Sequence, residues 1–160
     1  MPILNPTVRE LIIREIVTAL GDTAGELRGL QDWKGVYRGR MGFYPEELPA
    51  ITVNPRQDQA ERREFGRQRL AMEVEVQAVF PTALPVASAD SEASPLGEAI
   101  AGAIVSAVMA GTEEFNRIVD DVAYSTGGVT DYPDETQQAT IVEAVFLITF
   151  RTALGDPYNQ

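Results

Sequence analysis

From Leu70 to Phe80 the chain alternates strictly: Leu70, Met72, Val74, Val76, Ala78 and Phe80 fall on one side, Glu73, Glu75 and Gln77 on the other. A period of two predicts a β-strand with one buried face and one wet or interfacial face. Pro81 and Pro85 stop it. The same logic predicts a long last strand from Ala139 to Thr152, with Val142, Ala144, Phe146, Ile148 and Phe150 toward a core. Its opposite side mixes Glu143, Thr149 and Arg151 with Ile141, Val145 and Leu147, which is too apolar for a fully solvated surface.

Elsewhere the period changes to that of a helix. Val8, Leu11, Ile12, Ile16 and Val17 share one face of a helix expected over about 6–20, and Gly21 ends it. Asn5-Pro6 gives one start signal, and Thr7 with Glu10 gives a competing capping box. A second helix opens at Ser94-Pro95, with Leu96, Ile100, Ile104, Ala107 and Val108 on one face. Gly97, Ala101, Val105 and Met109 extend its apolar surface, and only Glu98 and Ser106 are polar. A helix so apolar should be buried on more than one side. In a domain this small, a neighbouring subunit is an available second cover. Thr112-Glu113-Glu114 starts a short helical turn carrying Phe115, Ile118 and Val119.

Shorter signals fill the gaps. A brief strand is read at 35–40, another at 48–53 near a sheet edge, and a third at 122–126, ending at Gly127-Gly128. Asp131-Tyr132-Pro133-Asp134 has turn chemistry. This order predicts an α+β fold in one domain over residues 1–160: a mainly antiparallel four- to five-stranded sheet with two main helices packed on it. Residues 54–69 interrupt the pattern, with Arg56, Arg62, Arg63, Arg67 and Arg69 among Asp58, Glu61 and Glu64 and almost no apolar residues. They read as a long loop or a flexible charged hairpin arm, either solvated or ordering on a partner.

The chain has neither cysteine nor histidine, which removes disulfides, thiol nucleophiles, Ser-His-Asp triads and zinc sites of the usual kind. The formal charge of −11 is uneven: residues 1–69 hold 11 basic and 10 acidic groups, residues 70–160 hold 2 and 14. Overall acidity argues against nucleic-acid and anionic-membrane binding, and also against reading Trp33, Tyr37, Phe43 and Tyr44 beside Arg28, Arg38 and Arg40 as a base-stacking platform. Asp120, Asp121, Asp131, Asp134 and Glu135 invite a Ca²⁺ or Mg²⁺ reading, but they lack the alternating ligands and central glycine of a calcium loop. No catalytic residue, metal ligand or cofactor is predicted, and the chain reads as a non-enzyme. The start of the chain meets Arg9 and Glu10 before any long apolar run, unlike a signal peptide.

The opening helix, Leu48-Pro49-Ala50-Ile51-Thr52-Val53, the charged insertion, the strand ending at Pro81, the helix after Ser94-Pro95, Val122 to Tyr132 and the final strand together resemble the tail terminator proteins of long-tailed bacteriophages. The resemblance spans about residues 3–158, and the ending Arg151 to Tyr158 is similar to that of small phage tail and neck proteins. It implies a structural virion protein. By that resemblance, six copies would form a ring at the tail–head junction after assembly in the host cytoplasm. Such a ring would cap the tail tube, end its polymerisation and offer a surface for head joining. Implied partners are other copies, the major tail tube protein and a head-tail connector or neck protein, with the tape-measure protein as a further candidate, and no membrane and no specific nucleic acid. Arg38, Arg40, Arg62, Arg63, Arg67 and Arg69 are the candidate interface cations, with Glu73 and Glu75 on a partner-facing surface. The alternatives are a neck, head-completion or other tube-like protein, and a small ligand-binding α+β module.

Overall fold

The computed structural model describes residues 5–22, 26–81, 93–133 and 138–160. It is α+β, with four helices and a five-stranded mixed sheet: α1 (Val8–Asp22), α2 (Glu26–Leu30), β1 (Gly35–Arg38), β2 (Ala50–Glu64), β3 (Arg67–Pro81), α3 (Ala93–Ala110), α4 (Glu113–Ile118), β4 (Asp121–Pro133) and β5 (Gln138–Ala153). The strand order is β1-β2-β3-β5-β4. Only the β1–β2 pair is parallel; the other three pairs are antiparallel.

The helices form because their ends are capped and their apolar faces meet the sheet. The Glu10 amide donates to Thr7 Oγ1 at 3.1 Å, so of the two start signals Thr7 is the one used and α1 begins at Val8. Thr112 caps α4 by accepting from the Phe115 amide at 3.0 Å, and its hydroxyl donates to Glu15 of α1 at 2.6 Å. Val8, Ile12, Ile13, Ile16 and Leu20 of α1, and Ile100, Ile104 and Val108 of α3, are buried in one core with the predicted residues of β3 and β5. Leu70 packs at its margin. All helices therefore serve one face of the sheet, where apolar burial is the dominant favourable term.

Three expectations change. Of the two readings of 54–69, loop or hairpin arm, the structure shows a hairpin built as regular strand: β2 and β3 pair on to Glu64↔Arg67 around a Phe65-Gly66 turn, with register shifts after Pro55 and Ala60. A ladder of backbone hydrogen bonds requires no apolar side chains where both faces are wet, so hydrophobic period cannot reveal it. The strand read at 48–53 starts at Ala50 and has β1 outside it, although β2 itself becomes the outer strand beyond Val53. β4 does not end at the Gly pair, and Asp131 to Pro133 continue it; Asp134 and Glu135 lie outside the described residues. Gly127 permits this continuation, since a Cβ there would sit 2.4 Å from the Glu143 carbonyl oxygen.

Candidate functional site

The second face of the sheet has no helix over it among the described residues. Its two central strands set Arg69 opposite Arg151, Ala71 opposite Thr149, Glu73 opposite Leu147, Glu75 opposite Val145 and Gln77 opposite Glu143. Glu75 is nonetheless buried, with Arg56 reaching across from β2 to bind both Glu73 (2.9 Å) and Glu75, and Gln77 adding a second contact to Glu75. The Glu75 hydrogen bond raises the Arg56 pKa further above its ordinary value. Glu75 thus lies on the face that alternation predicts, with its carboxylate taken up by Arg56 and Gln77. Glu143 makes no ion pair among the described residues.

At one end of that face the hairpin closes. Arg62, Phe65, Arg67, Arg69 and Arg151 line a hollow of ≈ 420 Å³. Arg69 pairs with Glu61 at 3.3 Å and Arg151 with Asp120 at 3.1 Å, both between half-exposed groups. Arg63 is exposed on the same hairpin. Phe65 is fully exposed at φ 42°, and Gly66 follows at φ 79°. Such a turn favours Asn or Gly over an aromatic residue. The Leu154 amide donates to the Gly66 carbonyl at 2.7 Å, bringing half-exposed Leu154 and Tyr158 to the same end. Asp156 holds this last turn together by accepting from Asn159 (2.6 Å) and the Tyr158 amide (3.0 Å); the Asn159 bond keeps its carboxyl below the usual value.

Arg38 and Arg40, grouped with these arginines in the sequence reading, lie elsewhere and bind within the fold. Arg38 pairs with Glu10 of α1, and that bond is the main cause of the lowered Glu10 pKa; Arg14 adds to it at 3.0 Å. Arg40 binds Glu47 through two contacts of 2.8 and 3.1 Å and stacks 4.9 Å over the Tyr37 ring and 5.1 Å over Phe43. The structure therefore assembles Arg62, Arg67 and Arg69, adds Arg151, Phe65, Leu154 and Tyr158, and excludes Arg38 and Arg40.

The third open surface is the outer side of α3. Ala99, Gly102, Ser106 and Met109 are exposed, and the first three border a groove of ≈ 620 Å³ with Gly29, Leu30 and Ala103. A separate hollow of ≈ 650 Å³ at the α1–α2–β1 corner carries Arg28, Asp32, Trp33 and Lys34, with the Trp33 indole N–H already donating to the Leu27 carbonyl at 2.8 Å. Asp120 and Asp121 sit at the start of β4 and Asp131 near its end, opposite Thr149 and Thr140; nine residues of strand separate these, about 30 Å. No group of three or more metal-binding side chains occurs among the described residues. No helix among them is long and apolar enough to cross a membrane.

No protein-family model matches the chain, and no curated protein matches it.

Proposed function

We propose that the protein is a structural, non-enzymatic virion component: copies close into a six-membered ring at the tail–head junction, cap the tail tube and present the surface to which the head connector joins. The observation carrying this reading is that one chain has two dissimilar open surfaces. The arginine-bearing hairpin projects at one end of the strands. The uncharged outer side of α3, rimmed by exposed Glu98, begins toward the other end, where Gly97 lies against Val129. A ring needs such unlike surfaces, because a head-to-tail contact joins different patches of each copy. Arg62, Arg63, Arg67 and Arg69 supply planar cations suited to carboxylate pairing across it.

The test is mass by native mass spectrometry and light scattering, alone and with tube ends, followed by assembly in a phage carrying the gene. Six-membered rings, and overlong tubes when the gene is deleted, are the expected results. Reversing Arg63 and Arg67 to Glu should abolish tail joining while the circular dichroism spectrum is unchanged. Normal particles from that variant would remove the hairpin from the interface. The α1–α2–β1 hollow favours a second reading, an anion-binding module, in which the chain stays monomeric with tube ends present and Arg28→Ala with Lys34→Ala abolishes binding of a carboxylate or phosphate probe.

A further inference from the structure

Two features have no use in the packing of the single chain. Phe65 is fully exposed at the tip of the β2–β3 hairpin, in a left-handed conformation that suits glycine or asparagine. A large apolar ring gains nothing by standing in water, and its strained backbone persists without any contact that repays it. The groove between α2 and α3 is the converse case. Gly29 and Gly102, both within helices, line it with Leu30, Ala99, Ala103 and Ser106. Glycine weakens a helix interior and belongs where another group must come close. Gly97 of α3 meets that need, with Val129 2.6 Å from the place of its Cβ. At Gly29 and Gly102 a Cβ would meet nothing within 4 Å. Their smallness serves no contact of this chain and keeps open a hollow of ≈ 620 Å³.

We infer that Phe65 of one copy seats in the α2–α3 groove of the next, head to tail. A chain cannot fill its own groove. Gly97 lies against Val129, which the register sets level with Ala78, eleven residues along β3 from Arg67 at the hairpin, about 36 Å. The charges match. From Glu98 to Ala110 the exposed positions of α3 are Glu98, Ala99, Gly102, Ser106, Met109 and Ala110, and Glu98 is their one charge. Exposed Arg63, two residues before Phe65, is the cation that reaches Glu98, one turn before Gly102. Arg28 of α2 lines the separate α1–α2–β1 hollow. Met109 prolongs the receiving face about 10 Å beyond Gly102, and half-exposed Leu154 and Tyr158 widen the inserted end. Phe65 itself buries roughly 200 Å², a quarter of the ~800 Å² per partner of a stable pair. Such a contact is weak singly and holds when closure grips every copy at both ends. It rests on the proposed ring for its strength and not for its geometry.

The native chain has no cysteine, so Arg63→Cys with Glu98→Cys in one chain leaves both Phe65 and the groove intact. Under mild oxidation at high micromolar concentration this chain should link into a ladder at least about tenfold faster than the control, Arg63→Cys with Glu113→Cys on α4. A second readout uses Phe65→Asp, which lacks the tip, and Gly102→Leu, which fills the groove. Each alone should self-associate at least about thirtyfold more weakly than the native chain. Mixed in equal amounts they should form a dimer that grows no further, because one intact tip meets one intact groove. That dimer also shows that both variants are folded. A ladder no faster than the control, native self-association by Phe65→Asp, or no dimer in the mixture would overturn the inference. A partner of another kind in the groove would leave the ladder at the control rate. The ring is read by where the ladder stops: six links support it, while a ladder without end keeps the contact and removes the ring. A six-membered native assembly with no fast ladder does the reverse.

Discussion

Phe146 and Leu147 are neighbours in β5, yet Phe146 is fully buried under the helices while Leu147 keeps 41 % of its surface exposed on the other side of the sheet. The two faces are built on different terms. Beneath α1 and α3 the contacts are apolar and packed, so that face holds the fold. The opposite face is organised by charge, with Arg56 bridging Glu73 and Glu75 and Arg151 reaching Asp120. Apart from Arg56–Glu75, whose carboxylate is buried, these pairs join partly exposed groups and stabilise a fold little, because water and salt screen them. What they do well is fix side-chain direction on a surface. One sheet thus has one face packed by apolar contacts and another ordered by charge.

The sharpest way to break this contrast is a pair of truncations. Phe146→Ala should lower unfolding stability by about 3–5 kcal/mol, whereas Leu147→Ala should stay within about 0.5 kcal/mol when urea unfolding is followed on dilute protein. Comparable losses at both positions would erase the distinction. Glycines in β4 give the next largest effect. Gly127→Ala places a Cβ 2.4 Å from the Glu143 carbonyl oxygen and 2.7 Å from the Tyr124 hydroxyl, a clash expected to cost about 1–3 kcal/mol; Gly128→Ala meets nothing within 4 Å and should melt several degrees higher than Gly127→Ala. On the helical side, Thr112→Ala loses both the α4 cap and the bond to Glu15, about 1 kcal/mol in thermal denaturation.

The smallest effect is a pH dependence. Glu10 holds a lowered pKa, chiefly through Arg38. On acidification the unfolded chain takes up that proton first, at the ordinary carboxylate value. The Glu10–Arg38 contribution is therefore complete above that value and disappears as pH falls through the lowered folded one. Glu10→Gln should flatten the acid limb of a stability-against-pH curve and cost only a few tenths of a kcal/mol at neutral pH, since the pair is partly solvated. An unchanged acid limb would show that the pair contributes nothing.

The helical face was legible in advance because its residues obey a period. The alternation at 70–80 names the core side of β3, and the predicted residues of β5 from Val142 to Phe150 are all buried. Charge partners obey no such rule. Arg38–Glu10, Arg56–Glu75 and Arg151–Asp120 join residues 28, 19 and 31 positions apart, brought together by α1 packing beside β1 in the first case and by strand pairing in the other two. Arg151 was visible as an isolated cation in an acidic half, but its meeting with Arg67 and Arg69 depends on the β3–β5 pairing. The single available hint for Phe65 was an aromatic residue before glycine inside an otherwise polar stretch.

The brevity of β1 has a consequence for how this chain survives in a crowded solution. β1 stops at Arg38, and from Asn54 to Glu64 the outer rim of β2 has no strand beside it among the described residues. An open rim of amides and carbonyls invites any extended segment to stack on, the first step toward fibrous precipitate. Here Pro55 withholds an amide, two irregularities bend the rim, and Arg62 and Arg63 crowd it with like charge. The polar composition of that rim thus acts as a guard against indiscriminate sticking.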